Sequence, residues 1–243
     1  MSRFLAKRIS NYNDDRSLGS RFRAKRAGPL MELIESAHRA HDEVRILDIG
    51  GTERYWKIIP PDFLDRHHVQ ISIANRLDRE LPESHDRFTF IRADGCNLQE
   101  FEDDAFHIAH SNSVIEHVGD WTQMKRLAAE IRRVGESHFV QTPNYWFPVE
   151  PHCMTPFFHW LPKPLRIRLT MRFALGHWKR AETVDQAMRF IEGSRLLNRK
   201  MFEHLFEGDE IITERVFLLP KSFIAVGRGR LAQAKTGNLP RAD

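Results

Sequence analysis

Two hydrophobic patterns alternate along the chain, and the alternation predicts a fold. Residues 44–49, Val-Arg-Ile-Leu-Asp-Ile, form a short apolar run rich in β-branched residues and closed by Gly50-Gly51, which predicts a buried strand. Similar runs recur at 69–74, 88–91, 105–110 and 138–142, the last closed by Pro143. Helical spacing occupies 121–134, and a second helix is predicted over 30–39, with Pro29 in its first turn. A helix from about 195 to 206 and two strands at 211–218 and 222–226, paired as an edge hairpin around Pro220, complete the pattern. Strands alternating with helices predict an α/β fold: a mostly parallel sheet with right-handed crossovers and helices on both faces.

The same pattern divides the chain. Residues 1–40 read as an N-terminal arm and helix, 41–227 as one α/β domain, and 228–243 as a polar, disordered tail. Residues 144–180 break the rhythm with prolines and aromatics and read as an insertion after the fifth strand. A chain of 243 residues, 41% hydrophobic, buries a core without disulfides or a metal. Cys96 and Cys153 lie too far apart to make a ligand pattern. The first ten residues contain no apolar leader run, and no stretch reaches the roughly 18–20 apolar residues of a membrane span, so a cytoplasmic location is expected. The net charge is +4, and the basic residues concentrate in the first 26 residues and in 163–180. That distribution is compatible with nucleic acid, an anionic membrane or an acidic small molecule.

Candidate chemistry centres on the turn after the first strand. Glycines there let a ligand approach the backbone, and the carboxyl ends of parallel strands are where open α/β sheets bind ligands. The run Gly50-Gly51-Thr52-Glu53-Arg54 lacks the spaced glycines of a dinucleotide fingerprint and the Gly-Lys-Ser/Thr ending of a phosphate loop. A plain strand–turn is the competing reading. With Asp48 before it, the turn resembles motif I of the class I S-adenosylmethionine (SAM)-dependent methyltransferases, whose sheet is Rossmann-like with an antiparallel edge hairpin. The segment 111–118, Ser-Asn-Ser-Val-Ile-Glu-His-Val, resembles the motif after strand four in the ubiquinone-biosynthesis-like branch of that family. The resemblance implies SAM as cofactor, with Asp48, Gly50, Gly51 and Thr52 along its methionine part. It further implies Asn75 at the ribose, where the family usually has an acidic residue, with Asp78 a nearby substitute. Asp94 and Gly95 would meet the adenine, and Ser111 and Asn112 would flank the methyl group. Read without the resemblance, Asn75 and Asp94-Gly95 are ordinary turn residues.

A hydroxyl acceptor benefits from a general base near neutrality, which suits histidine. His117 and His152 are the catalytic candidates, with Asp120 or Glu150 as carboxylates that orient them; the competing reading is a structural or loop histidine. No metal is assigned: His67-His68 are adjacent, His107 and His110 lack helical spacing, and His152 and His159 lie among prolines. The insertion suits a flat or carbohydrate-like acceptor, or an apolar lid. It is similar to that of bacterial O-methyltransferases of glycan biosynthesis, and the whole chain is similar to rhizobial nodulation enzymes that 2-O-methylate fucose on lipochitooligosaccharides. The expected partner is therefore a small-molecule or glycan hydroxyl, not nucleic acid. The basic stretch 156–180 offers weak contact with a membrane surface, and Arg21, Arg23, Lys25 and Arg26 offer an arginine to the SAM carboxylate. Phenol, quinone, amine or RNA acceptors, and a non-catalytic SAM-binding protein, are the alternatives.

Overall fold

The computed structural model describes residues 18–76 and 80–229. In order, helix α1 is Leu18–His41, β1 Val44–Ile49, α2 Glu53–Trp56, α3 Pro61–Arg66, β2 Val69–Asn75, β3 Phe88–Arg92 and β4 Phe106–Asn112. A 3-10 turn Ile115–His117 leads to α4 Trp121–Val134 and β5 Gly135–Pro143. Next come β6 Val149–Glu150, β7 Thr155–Pro156, a 3-10 turn Phe158–Trp160, α5 Lys163–Arg172, α6 Val184–Glu192 and α7 Arg199–Leu205. Strands β8 Glu210–Val216 and β9 Leu219–Gly227 close the fold.

Among the described residues the main sheet has seven strands in the order β3-β2-β1-β4-β5-β9-β8. The first five named pair in parallel, whereas β9 runs antiparallel to both β5 and β8. This is the mostly parallel Rossmann-like sheet with an antiparallel edge pair that the sequence predicts. The chain winds outward one way from β1 and the other way from β4. The carboxyl ends of those two neighbours are thus the switch point where a crevice opens.

Each face of the sheet carries its own core. On one, Leu30, Leu33, Ile34 and Ala37 of α1 pack with Ile46, Ile71, Ile108 and Phe139 of the strands. On the other, Leu127, Ile131 and Val134 of α4 and Phe202 of α7 pack with Leu47, Val140 and Ala225. Helix α4 shows why local sequence suffices there. The Asp120 carboxylate accepts from the Gln123 N–H at its start, and Met124, Leu127, Ala128, Ile131 and Val134 form one buried stripe.

Several boundaries differ from expectation. Helix α1 runs unbroken through Pro29, not from it. Proline removes one backbone bond and normally costs about 3 kcal/mol inside a helix, but four wholly buried side chains just beyond it hold the helix to the sheet. Pro220 lies inside β9; the turn falls at Phe217, whose φ is +54°, and a register shift at Glu214/Arg215 absorbs the proline. Strand β4 extends through Ser111 and Asn112. Helix α7 starts at Arg199, after the Asn198 side chain accepts from Met201 N–H. Helix α6, in a stretch to which the sequence pattern assigns no element, starts where the Thr183 hydroxyl accepts from Gln186 N–H and buries Ala187 and Ile191. No helix among the described residues is long and apolar enough to cross a membrane. The tail beyond 229, Asp78 and the side chains of Arg21, Arg23 and Lys25 lie outside the described residues.

Candidate active site

Asp48 is the fixed point at the carboxyl end of the sheet. It pairs in register with His110 of the neighbouring strand, and both side chains are fully buried. Its Oδ1 accepts from His110 Nδ1 at 2.6 Å and its Oδ2 accepts from Trp56 Nε1 at 2.8 Å. Both carboxylate oxygens are thus spent on holding β1, β4 and α2 together. Directly beyond, Gly50 has φ +72°, and a Cβ there would lie 2.8 Å from the Val114 methyls. A Cβ on Gly51 would lie 1.8 Å from Asp48 Oδ2. Both positions therefore require glycine, one for its backbone angle and both for space.

The turn lines a cleft of about 340 Å³ bordered by Asp48, Gly50, Gly51, Thr52, Arg54, Tyr55, His110, Asn112 and Ser113. The buried Nε2 of His110 has no hydrogen-bond partner among the described residues. Asn75, at the end of β2, donates its amide to the Gly51 carbonyl at 3.2 Å, which sets its oxygen beside the glycine turn. Asp94 closes a tight turn after β3, its Oδ1 accepting from Cys96 N–H at 3.0 Å. Gly95 is packed so closely that a Cβ would meet Ile49 at 2.6 Å. The buried Ser111 hydroxyl donates to the Ile49 carbonyl at 3.3 Å, so it ties β4 to β1. Asn112 accepts from Arg26 at 2.7 Å, and the same guanidinium is paired with Glu214 at 2.8 Å. One arginine of the N-terminal basic cluster therefore does reach the cleft wall.

The second half of the site follows β4 directly. His117 Nδ1 lies 2.6 Å from the Gly193 carbonyl and its Nε2 lies 3.0 Å from His152 Nε2. His152 Nδ1 lies 2.7 Å from Glu150 Oε1, whose other oxygen accepts from Cys153 N–H at 2.6 Å. These partners settle the protons. A carbonyl and a carboxylate can only accept, so both Nδ1 atoms donate. The two Nε2 atoms then face each other with room for one proton between them. Partial burial, and after it the His152 charge, hold His117 below the usual histidine range. For His152 burial acts downward too, but the Glu150 carboxylate outweighs it and raises the pKa. Beside the pair, burial pushes the Glu116 carboxyl up to about 7, although Thr142 donates to it at 3.0 Å. Asp120 caps α4 and does not orient either imidazole, so Glu150 alone fills the orienting role.

Glu150 and Ser194 also line a cavity of about 340 Å³ under the insertion, with Tyr145, Phe158, Trp178, Lys163, Arg166 and Arg195. The Ser194 hydroxyl lies 3.2 Å from His152 Nδ1, so the histidine pair borders this cavity. Arg166 Nε is buried there with no hydrogen-bond partner among the described residues.

Sequence reasoning placed Asp48, Gly50, Gly51, Thr52 and Asn112 on one cleft, and paired His117 with His152 only as alternatives. It missed His110, Tyr55, Ser113 and Glu116. His110 was open to discovery, since aligning β1 with β4 sets it opposite Asp48.

Residues 47–138 match the methyltransferase domain family. No curated protein matches the chain in sequence. Among solved structures, an O-methyltransferase family protein from Burkholderia thailandensis aligns at TM-score 0.46 and 11% identity, over 93% of this chain and 67% of that one. A protein from Pyrococcus horikoshii aligns at TM-score 0.48 and 14% identity, over 93% and 98%. A phosphoethanolamine N-methyltransferase from Haemonchus contortus, solved with S-adenosylhomocysteine, aligns at TM-score 0.42 and 17% identity, over 75% and 38%. The family match, the sheet order and the glycine turn carry the assignment rather than these likenesses: residues 47–138 form a SAM-dependent methyltransferase domain. The site fits that cofactor, since the cradle at Gly50 and Gly51 excludes any side chain and an orphaned imidazole nitrogen borders it.

Proposed function

We propose that the enzyme methylates a hydroxyl group of a small-molecule or glycan acceptor held under the insertion. The carrying observation is the Glu150–His152–His117 chain, which borders the aromatic, basic cavity and whose His117 follows Ser113 of the glycine cleft by four residues. SAM, when bound, would supply a methyl group activated by its sulfonium sulfur, with the acceptor oxygen in line behind the methyl carbon and S-adenosylhomocysteine as the leaving group. The C–O bond forms as the C–S bond breaks, and the hydroxyl proton must leave. The facing Nε2 atoms receive it in the gap between the imidazoles, while Glu150 balances the resulting charge. Tyr145, Phe158 and Trp178 offer faces to a sugar ring. Lys163, Arg166 and Arg195 favour an acceptor that carries phosphate or carboxylate, as a nucleotide-linked or lipid-linked sugar does. A fucosyl hydroxyl on a lipochitooligosaccharide is one member of this class.

The test is an acceptor panel with matched hydroxyl and amine compounds, including fucosylated chitooligosaccharides and sugar phosphates. Product is read as S-adenosylhomocysteine release together with a methyl gain by mass. Methylation of hydroxyl acceptors, abolished in His152→Ala with SAM binding retained, is the expected outcome. Methylation of the amines alone would overturn the reading.

A further inference from the structure

We propose that Glu116, His117 and His152 form a binding site for one divalent transition-metal ion such as Zn2+. Their ligand atoms all lie within 4.8 Å of one another. Two ligands at about 2.1 Å from an ion and in adjacent coordination positions sit roughly 3.0–3.4 Å apart. The two Nε2 atoms are 3.0 Å apart, so little movement is needed to admit an ion.

The outer contacts are those a metal site needs. A ligating histidine donates its other ring N–H to a carbonyl or carboxylate, which fixes the tautomer and aims the lone pair inward. His117 does so to the Gly193 carbonyl and His152 to Glu150. Glu116 supplies an independent observation. It is 1% exposed, Thr142 satisfies its Oε2, and its Oε1 has no hydrogen-bond partner among the described residues. A buried carboxylate oxygen without a partner is costly unless a cation meets it. Two imidazoles and one carboxylate suit zinc, iron, cobalt or manganese and leave coordination positions open. The exposed edge of His117 gives an entry path.

Two other clusters, His38–Asp42–His68 and His41–His107–Glu136, lie at the amino ends of the parallel strands, the edge opposite the glycine turn. In the latter, Glu136 is already paired with His41 at 2.8 Å. The site rests on the proposed function only for what the ion would do: the ion and the shared proton occupy the same gap, so in the metal-loaded protein the imidazoles act as ligands and the ion, as a Lewis acid, lowers the pKa of the acceptor hydroxyl in place of the base.

The experiment titrates chelator-stripped full-length protein with Co2+, followed by visible absorption, and then displaces it with Zn2+. One ion per chain is expected, lost in His152→Ala and weakened at least tenfold in Glu116→Gln, yet kept in His38→Ala and His41→Ala. Glu116→Gln preserves side-chain shape and an acceptor for Thr142, so it guards against a folding defect in the histidine variant. No saturable binding to the wild type, or undiminished binding in both site variants, overturns the assignment. The readout is bound cobalt, so its failure would leave the acceptor reading intact, and absent turnover would not count against the metal.

Discussion

The glycine end of the sheet and the insertion above it are built in opposite ways. At the glycine end, each functional group sits on a regular strand or just beyond it, and its neighbours are set by strand register, as Asp48 and His110 are. In the insertion, function comes from short pieces gathered from far apart. Glu150 ends the two-residue strand β6, Ser194 follows α6, and His117 ends the 3-10 turn after β4. Cys153, Phe158 and Ile191 give this region its own small core. The contrast separates labour. On the proposed reading, a rigid sheet holds the cofactor, and a locally packed cap shapes the acceptor space and can vary without disturbing the sheet.

The largest expected effect is at the rigid end. Gly51→Ala drives a methyl into Asp48 Oδ2 and breaks a buried network that also holds Trp56 and His110. Losing such a network costs about 3–5 kcal/mol. SAM affinity by calorimetry should fall on the order of 100-fold or more. A fall of less than threefold would mean that this turn is not rigid in the way described.

Next comes the junction of the two regions. His152→Ala should lower kcat by roughly 100- to 10,000-fold, as loss of a general base does, while the SAM dissociation constant stays within about twofold. Equal loss of both would make His152 a structural part of the sheet end instead.

Within the cap the effect should be smaller and confined to the acceptor. Arg166→Ala removes a charged donor worth about 1.5–3 kcal/mol, so KM for anionic acceptors should rise roughly 10- to 150-fold with kcat unchanged. Neutral acceptors should be unaffected, and a uniform rise for both would break the link between the cavity and acceptor charge.

The smallest effect tests the scaffold alone. Glu130 accepts from Leu98 N–H at 2.7 Å and from Arg133 at 2.8 Å, and the Arg133 bond leads the forces holding its pKa below the usual carboxylate range. A depressed acid contributes stability above its unfolded pKa of about 4.3 and loses it as pH falls. Glu130→Gln should therefore cost about 1 kcal/mol in denaturant melts at pH 7, and the gap should close below about pH 4. A gap constant with pH would assign the cost to packing.

The same contrast explains what could be read from the sequence. The strands of the sheet were legible because β-branched runs between turns have few other uses. Helix α4 was legible to the residue because its cap and its buried stripe agree. Helix α1 was not, since Pro29 argues for a helix start and only burial against the sheet overrules it. Helix α6 was hidden because its buried face, Ala187 and Ile191, is narrow and serves the cap's own core. The catalytic candidates were named one by one, but their meeting was out of reach. His117 and His152 are 35 residues apart, and although α4 and β5 between them are periodic, residues 144–152, which carry His152 back onto His117, have no period that would place it. Glu116 was passed over because a glutamate in a polar segment reads as solvated, whereas the fold buries it.

The measurement that bears most directly on the central claim is a calorimetric titration of SAM into the wild type and Gly50→Arg. The variant places a long charged side chain at a φ of +72° and against Val114. Saturable binding of one SAM per chain, abolished in the variant, is the predicted result. No binding by the wild type, or unchanged binding by a folded variant, would contradict the placement of the cofactor at the glycine turn.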